Sequence, residues 1–287
     1  MDIMNEKMRI HVAKHLHDRD DLEREGRDAG LVAGQEHLAA NMADEVYRHA
    51  VEGGFNTLVF CASTKTRTIE TAQMVEHSLR DKPIKLHIIL ETDPNLREID
   101  QGAFILPPGY KAGDSFEGLK IAWKIFSAET FNERDPSKDN LDYHFGDPLR
   151  QEDGTFKYPE LNNYFSERGE SYRDILLRLY AQVVKLSDNM QRFGDKVRPV
   201  VFTHGQPYQI FRDLAEAADK VETEGLTFSP GGLARICQTL YMDRVRREGT
   251  IPPGKLDLVA IEHVCNPKMI ELLRREMTYL ENGRAAV

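Results

Sequence analysis

Short apolar runs alternate with stretches of helical period along most of this chain, and that alternation limits its fold more than any other feature. In Met8–His17, Ile10 and Val12 alternate with Arg9 and His11, which predicts a strand near the start of the chain. Leu31, Leu38, Met42 and Val46 follow at helical spacing, and Gly53-Gly54 stops that helix. Thr57–Cys61 is a compact apolar run and predicts the second strand. A helix with Ile69, Ala72, Val75 and Leu79 comes next, and then a third strand over Ile84–Leu90. Ser171 is an N-cap for a long amphipathic helix carrying Ile175, Leu179, Val183, Leu186 and Met190. Val200–Thr203 predicts a fourth strand, and Pro207 suits the first turn of the helix after it. Ala234–Tyr241 and Leu256–Ile261 read as two more strands, with Gly231-Gly232 as a turn before the first of them. Pro267 opens a last helix with Ile270, Leu273 and Met277 on its apolar face. This succession predicts an α/β fold, a three-layer α/β/α sandwich with helices on both faces of the sheet.

Between Ala103 and Arg168 the rhythm changes. That stretch holds 12 of the 24 aromatic residues, among frequent glycine, proline and charged positions. We read the chain as one domain over residues 1–287, with 103–168 as an insertion that caps one end of the sheet and lines the entrance to a site. The charged segment 18–28 reads as a solvated loop. The formal net charge of -9 argues against non-specific nucleic-acid binding. Cys61, Cys237 and Cys265 are odd in number and widely spaced, which predicts reduced thiols in a cytoplasmic setting rather than a disulfide framework or a zinc site. No apolar run is long enough to span a bilayer, and the first residues lack the apolar core of a signal peptide.

Residues at the carboxyl ends of strands in open α/β sheets face the crevice where ligands bind. Four such ends carry distinctive side chains here: Lys14-His15, Ser63 with Arg67, Glu98, and His204-Gly205. Their order and spacing resemble the histidine phosphatase superfamily, also called the phosphoglycerate mutase-like family. In that family Arg-His-Gly follows the first strand, and a Ser-rich turn with Arg and then Thr-Ala follows the second. A Leu-x-Glu precedes a glycine, Gly-Glu-Ser opens a helix, and a late strand ends in His-Gly. The matching residues are His15; Ser63, Arg67, Thr71 and Ala72; Leu96, Glu98 and Gly102; Gly169, Glu170 and Ser171; and His204 with Gly205. The resemblance covers residues 8–102 and 169 to about 280 and implies a phosphoglycerate mutase-like fold around a mostly parallel sheet.

By that resemblance His15 is the nucleophile, Arg67 and His204 bind phosphate, and Glu98 is the acid, with Asp100 as a rival. Lys14 is the cation beside the nucleophile. The residue types suit the chemistry. A neutral imidazole can attack phosphorus, cations neutralise the equatorial oxygens, and a carboxylic acid can protonate the leaving alkoxide. The implied activity is metal-independent hydrolysis of a phosphomonoester through phosphohistidine. It needs no cofactor, and its partner is a phosphorylated small molecule. A phosphomutase and a non-catalytic phosphoryl-binding relative stay open as alternatives, as does self-association. Three positions depart from the family pattern. Lys14 replaces the arginine and cannot make a bidentate contact. Leu16 replaces a glycine at which backbone should approach phosphate. His17-Asp18 replaces an acidic or amide residue followed by Thr or Ser.

Two other readings compete. Cys61 and Arg67 have the Cys-x5-Arg spacing of a cysteine-dependent phosphatase loop, but no glycine lies between them, and a buried strand cysteine is the simpler reading. His11, His15 and His17 would share one face of an extended segment and could suggest a metal site, but no later cluster of His and Asp ligands accompanies them. Glycine-rich nucleotide loops are absent.

Overall fold

The computed structural model describes residues 9–18, 30–105, 108–109, 117–130, 141–147, 163–194, 196–225, 232–249 and 251–285, with the odd-numbered positions from 151 to 159. Five strands form one sheet: β1 (Arg9–Lys14), β2 (Thr57–Ala62), β3 (His87–Thr92), β4 (Val197–Thr203) and β5 (Leu256–Ala260). Their spatial order is β3-β2-β4-β1-β5. The first four are parallel, and β5 adds an antiparallel edge against β1. The named helices among the described residues are α1 (Glu36–Glu52), α2 (Thr66–Arg80), α3 (Glu117–Thr130), α4 (Tyr172–Phe193), α5 (Gly205–Thr223), α6 (Gly232–Glu248) and α7 (Pro267–Ala285).

Both faces of the sheet are covered. Leu58, Phe60, Val200, Phe202 and Ala13 point one way and share a core cluster with Met42 and Val46 of α1 and Val75 and Leu79 of α2. The alternate residues, Ile10, Val12, Val59 and Val201, are buried on the other side. There Tyr208 of α5 donates its hydroxyl hydrogen to Asp257 of β5 at 2.5 Å. The central strands are buried along almost their whole length, as strands covered on both faces must be. This is the predicted three-layer α/β/α sandwich around a mostly parallel sheet.

Several boundaries differ from the sequence reading. Residues 234–241 lie inside helix α6, and no strand forms there. Its buried residues are Leu233, Ala234, Cys237, Leu240 and Arg244, a helical stripe, and Arg244 bonds Asp213 of α5 at 3.1 Å. A run of eight residues with mixed polarity is ambiguous between the two periods, and packing against α5 decides it. Gly232 is accordingly the first residue of a helix, and Gly231 lies outside the described residues. β3 begins at His87, and Ile84 is 52% exposed. The inner face of α7 is Met269, Leu272 and Leu273, while Met277 is exposed. α1 starts at Glu36, and Leu31 instead bridges Asp18. Of the loop predicted over 18–28, only Asp18 lies within the described residues.

The chain divides into two compact units, one of Met1–Arg19, Asp28–Glu98 and Leu177–Val287, the other of Asp20–Arg27 and Ile99–Leu176. In the second unit, Trp123, Phe126, Phe145 and Phe165 make a chain of ring contacts at 4.8–6.2 Å. Ser171 caps α4 as predicted: its Oγ accepts the Asp174 N–H at 3.2 Å, and Asp174 Oδ2 accepts the Ser171 N–H at 3.0 Å. The glycines of the motifs found around it have a steric reason. A Cβ on Gly169 would lie 2.2 Å from the Asp100 carbonyl oxygen, and one on Gly102, at φ +73°, would lie 2.3 Å from that of Glu167.

Candidate active site

The histidines at the ends of the two central strands meet. His15 follows β1 and His204 follows β4, and the strands are parallel neighbours with Lys14 opposite Thr203. The His15 N–H bonds the Thr203 carbonyl at 3.0 Å, which fixes the two strand ends in register. The imidazoles pack edge to face with centroids 5.2 Å apart.

His15 Nδ1 lies 2.5 Å from the Leu16 carbonyl oxygen. A carbonyl can only accept, so Nδ1 carries the hydrogen and Nε2 keeps its lone pair. Burial, then the neighbouring Arg67 guanidinium, push the imidazole down to about 4, so it is neutral at ordinary pH. His15 is therefore held as a neutral imidazole with one nucleophilic nitrogen defined.

Arg67 sits in the first turn of α2. Its Nε donates to His204 Nδ1 at 3.3 Å, and its Nη1 lies 3.4 Å from Asp18 Oδ2. Because Arg67 can only donate, His204 holds its lone pair on Nδ1 and its hydrogen on Nε2, which donates to Ser63 Oγ at 3.0 Å. Burial first, then Arg67 and His15, keep His204 well below its ordinary value. Thr71, one turn along α2, accepts the Leu16 N–H at 3.1 Å and donates to the Arg67 carbonyl at 2.7 Å, so α2 also anchors the turn after His15.

Leu16 resolves one departure from the family pattern. Its side chain is fully buried in the core cluster with Met42 and Ala39, and a Cβ on Gly254 would lie 2.9 Å from its Cδ2. The bulk that replaces glycine thus enters the core. Burial of such a side chain is worth about 1.5–3 kcal/mol.

Lys14 points to the face of the sheet opposite Ala13, where its Nζ donates to the Ile251 carbonyl at 2.7 Å and its Cε lies 3.9 Å from the Cβ position of Gly205. Burial lowers its pKa, Glu98 and then Asp18 oppose that by favouring the cation, and Arg67 adds to the lowering. Glu98 is half-buried. It is held by its backbone: Thr203 Oγ1 donates to the Leu96 carbonyl at 2.6 Å, and Arg178 Nη1 donates to the carbonyls of Asn95 and Arg97. The phenol of Tyr241 on α6 is pushed up by burial and then by Glu98. Asp100 belongs to the second unit, where its Oδ1 accepts the Gly102 N–H at 2.9 Å.

The structure thus brings His15, Arg67, His204 and Ser63 together, with Lys14 and Glu98 in the same electrostatic neighbourhood. Sequence reasoning missed Asp18 as the carboxylate on Arg67, the Ile251 carbonyl on Lys14, and Thr203, Arg178 and Tyr241 around Glu98. Asp18 alone had a visible signal, as an acid three residues after His15. The rival readings fare differently. Burial, then Glu91, push the Cys61 thiol up to about 12, so it is no thiolate. His11, His15 and His17 do not share a face, because β1 ends at Lys14: His11 turns into the core on His49 at 3.0 Å, and His17 is exposed. Among the described residues, no group of three or more His, Cys, Asp or Glu side chains could hold a metal, and no helix is long and apolar enough to cross a membrane.

Fold and site define an α/β protein with two histidines on neighbouring central strands and a buried guanidinium between one of them and an acid. No protein-family model matches the sequence, and no curated protein matches it. Solved structures similar to it include a mycobacterial glucosyl-3-phosphoglycerate phosphatase, 15% identical over 88% of this chain and 89% of that one, with a TM-score of 0.44. A phosphoglycerate mutase from Bacillus anthracis is 15% identical over 79% of this chain and 86% of that one, with a TM-score of 0.44. The product of an open reading frame from Mycobacterium tuberculosis is 15% identical over 87% and 89%, with a TM-score of 0.43.

Proposed function

We propose that this chain is a metal-independent phosphatase of the histidine phosphatase type, acting on a phosphorylated small molecule. The observation that carries the reading is the tautomer of His15: a neutral, buried imidazole with Nδ1–H tied to a carbonyl and Nε2 left as the nucleophile, beside Arg67 and His204. Nε2 attacks phosphorus and the bond from phosphorus to the substrate oxygen breaks. Glu98, as the carboxylic acid, gives that oxygen its proton. Water then attacks the phosphohistidine, Glu98 takes a proton from it, and phosphate leaves with His15 restored. Arg67 and Lys14 oppose the negative charge on the transferring group. His204 keeps Arg67 in place and carries an N–H that Ser63 holds near His15.

The test is turnover on a panel of phosphorylated metabolites, with acid-labile, base-stable label on His15 after rapid quenching. Label transferred to a second substrate hydroxyl, without release of phosphate, would assign a mutase. Binding of phosphate with no turnover and no label would assign a non-catalytic relative.

Two further outcomes are expected. Lys14→Ala should lower kcat/KM by roughly ten- to a hundred-fold, from loss of a charge-assisted contact worth about 1.5–3 kcal/mol. Lys14→Arg should match or exceed the parent, since Leu16 lies in the core and leaves room for the longer fork. Full activity in Lys14→Ala would leave Lys14 as no more than a structural donor to Ile251. Chelation by EDTA should leave turnover unchanged, because the protein's own cations face the phosphoryl group. Loss on chelation with recovery on adding a divalent metal would overturn the metal-independent mechanism.

A further inference from the structure

We propose that Asp18 makes this pocket selective for phosphoryl groups that still carry a proton. The inference rests on the phosphoryl-binding reading of the site and adds a specificity residue to it. One guanidinium spans two partners, His204 at Nε and Asp18 at Nη1, and the Arg67 and Asp18 side chains are only 9% and 19% exposed. A phosphoryl oxygen that engages Arg67 therefore arrives beside a carboxylate. That carboxylate is held in place: Asp18 forms an antiparallel bridge with Leu31, whose N–H bonds Glu70 of α2 at 2.6 Å.

Among the described residues, the charged and titratable groups around Asp18 are Lys14 and His15 from the end of β1, Arg67 and Glu70 from α2, and His17 beside it in the chain. Asp18 and Glu70 are the acids of that set, and Glu70 is occupied by the Leu31 N–H. A fully ionised oxyanion would place an oxygen without a proton against the Asp18 carboxylate, and the two would repel. An oxyanion with one P–O–H instead donates that hydrogen to Asp18 in a charge-assisted bond and still offers its other oxygens to Arg67. The same carboxylate thus repels one protonation state and binds the other. Phosphomonoesters have a second pKa of about 6, so both states are populated near neutrality.

Sulfate separates the cases, because it has the shape and charge of singly protonated phosphate, HPO4 2−, and carries no proton. The experiment is calorimetric titration of the full chain with inorganic phosphate and with sulfate, at one pH near 8 where phosphate is the singly protonated dianion, for the parent and for Asp18→Asn. The parent should prefer phosphate by roughly tenfold or more. In Asp18→Asn the preference should collapse, with sulfate binding gained, because the amide can donate to an oxygen that the carboxylate repelled. Equal binding of phosphate and sulfate by the parent overturns the inference without any variant. An unchanged preference in Asp18→Asn overturns it too, and in both cases the phosphoryl pocket itself stands. If the parent and Asp18→Asn bind neither anion, the phosphoryl-site reading fails and the inference with it.

Discussion

His15→Asn should reduce turnover by roughly a thousandfold or more, the scale seen when a covalent nucleophile is removed. Asparagine can still donate to the Leu16 carbonyl, so the turn after β1 should hold while the attacking nitrogen is lost. Folding of the variant is checked by its thermal transition. Retained turnover would remove His15 from the chemistry, and His17, the next histidine along, is exposed and outside the buried set. The parent protein should show the same residue in its pH profile. On the proposed mechanism the attacking His15 must be neutral, and its pKa is lowered from the ordinary 6.5 to about 4. The acid limb of kcat/KM should therefore fall near pH 4 and not near 6.5. Stability follows with a definite sign. The unfolded chain takes up the proton near 6.5, and the folded chain resists it until about 4. The contribution is therefore complete above 6.5 and is lost as pH falls through that window. His11, lowered to about 3 by burial and then by Arg198, acts in the same direction. A thermal midpoint that is flat from pH 7 to 4 would contradict the buried neutral histidines.

Arg67→Ala should cost roughly a hundred- to ten-thousand-fold in kcat/KM, from two charge-assisted contacts to the transferring group at about 1.5–3 kcal/mol each. The guanidinium also orders its surroundings. Without it, His204 Nδ1 loses its donor and Asp18 its cation, both largely buried. Arg67→Lys should recover only part of the loss, because an ammonium on a flexible stem cannot span His204 and Asp18 together. The check is kcat/KM for the three proteins on one phosphomonoester. An alanine variant within about threefold of the parent would show that Arg67 serves the fold and not the phosphoryl group.

Much of this arrangement is legible in the amino-acid sequence. His15, Arg67 and His204 stand out because each follows a short segment whose pattern, alternating before His15 and apolar before the other two, reads as a strand. The helix over Ile175–Met190 shows in its period, and its start in Ser171 and the acid three residues on. The helix over 234–241 does not show, since a short mixed run satisfies either period and only its neighbours decide. The three departures around His15 are equally visible as letters and equally silent about direction. Leu16 reads as an obstruction in a phosphate loop, yet its side chain enters the core and only its backbone faces the site.

What the sequence determined by itself is therefore local: which segments of clear period form strands and helices, and which reactive residues stand at strand ends. Period and turn chemistry act within a few residues, and the chain carries them wherever it folds. The tertiary structure decided the pairings: Lys14 on the Ile251 carbonyl, Arg67 between His204 and Asp18, and His15 in the tautomer that frees Nε2. Those choices join groups 49 to 237 residues apart or turn on a backbone carbonyl held by packing. A charged or hydrogen-bonding side chain has several acceptable partners in its sequence. Only the order β2-β4-β1, which puts the two histidine-bearing strands side by side, reduces them to one.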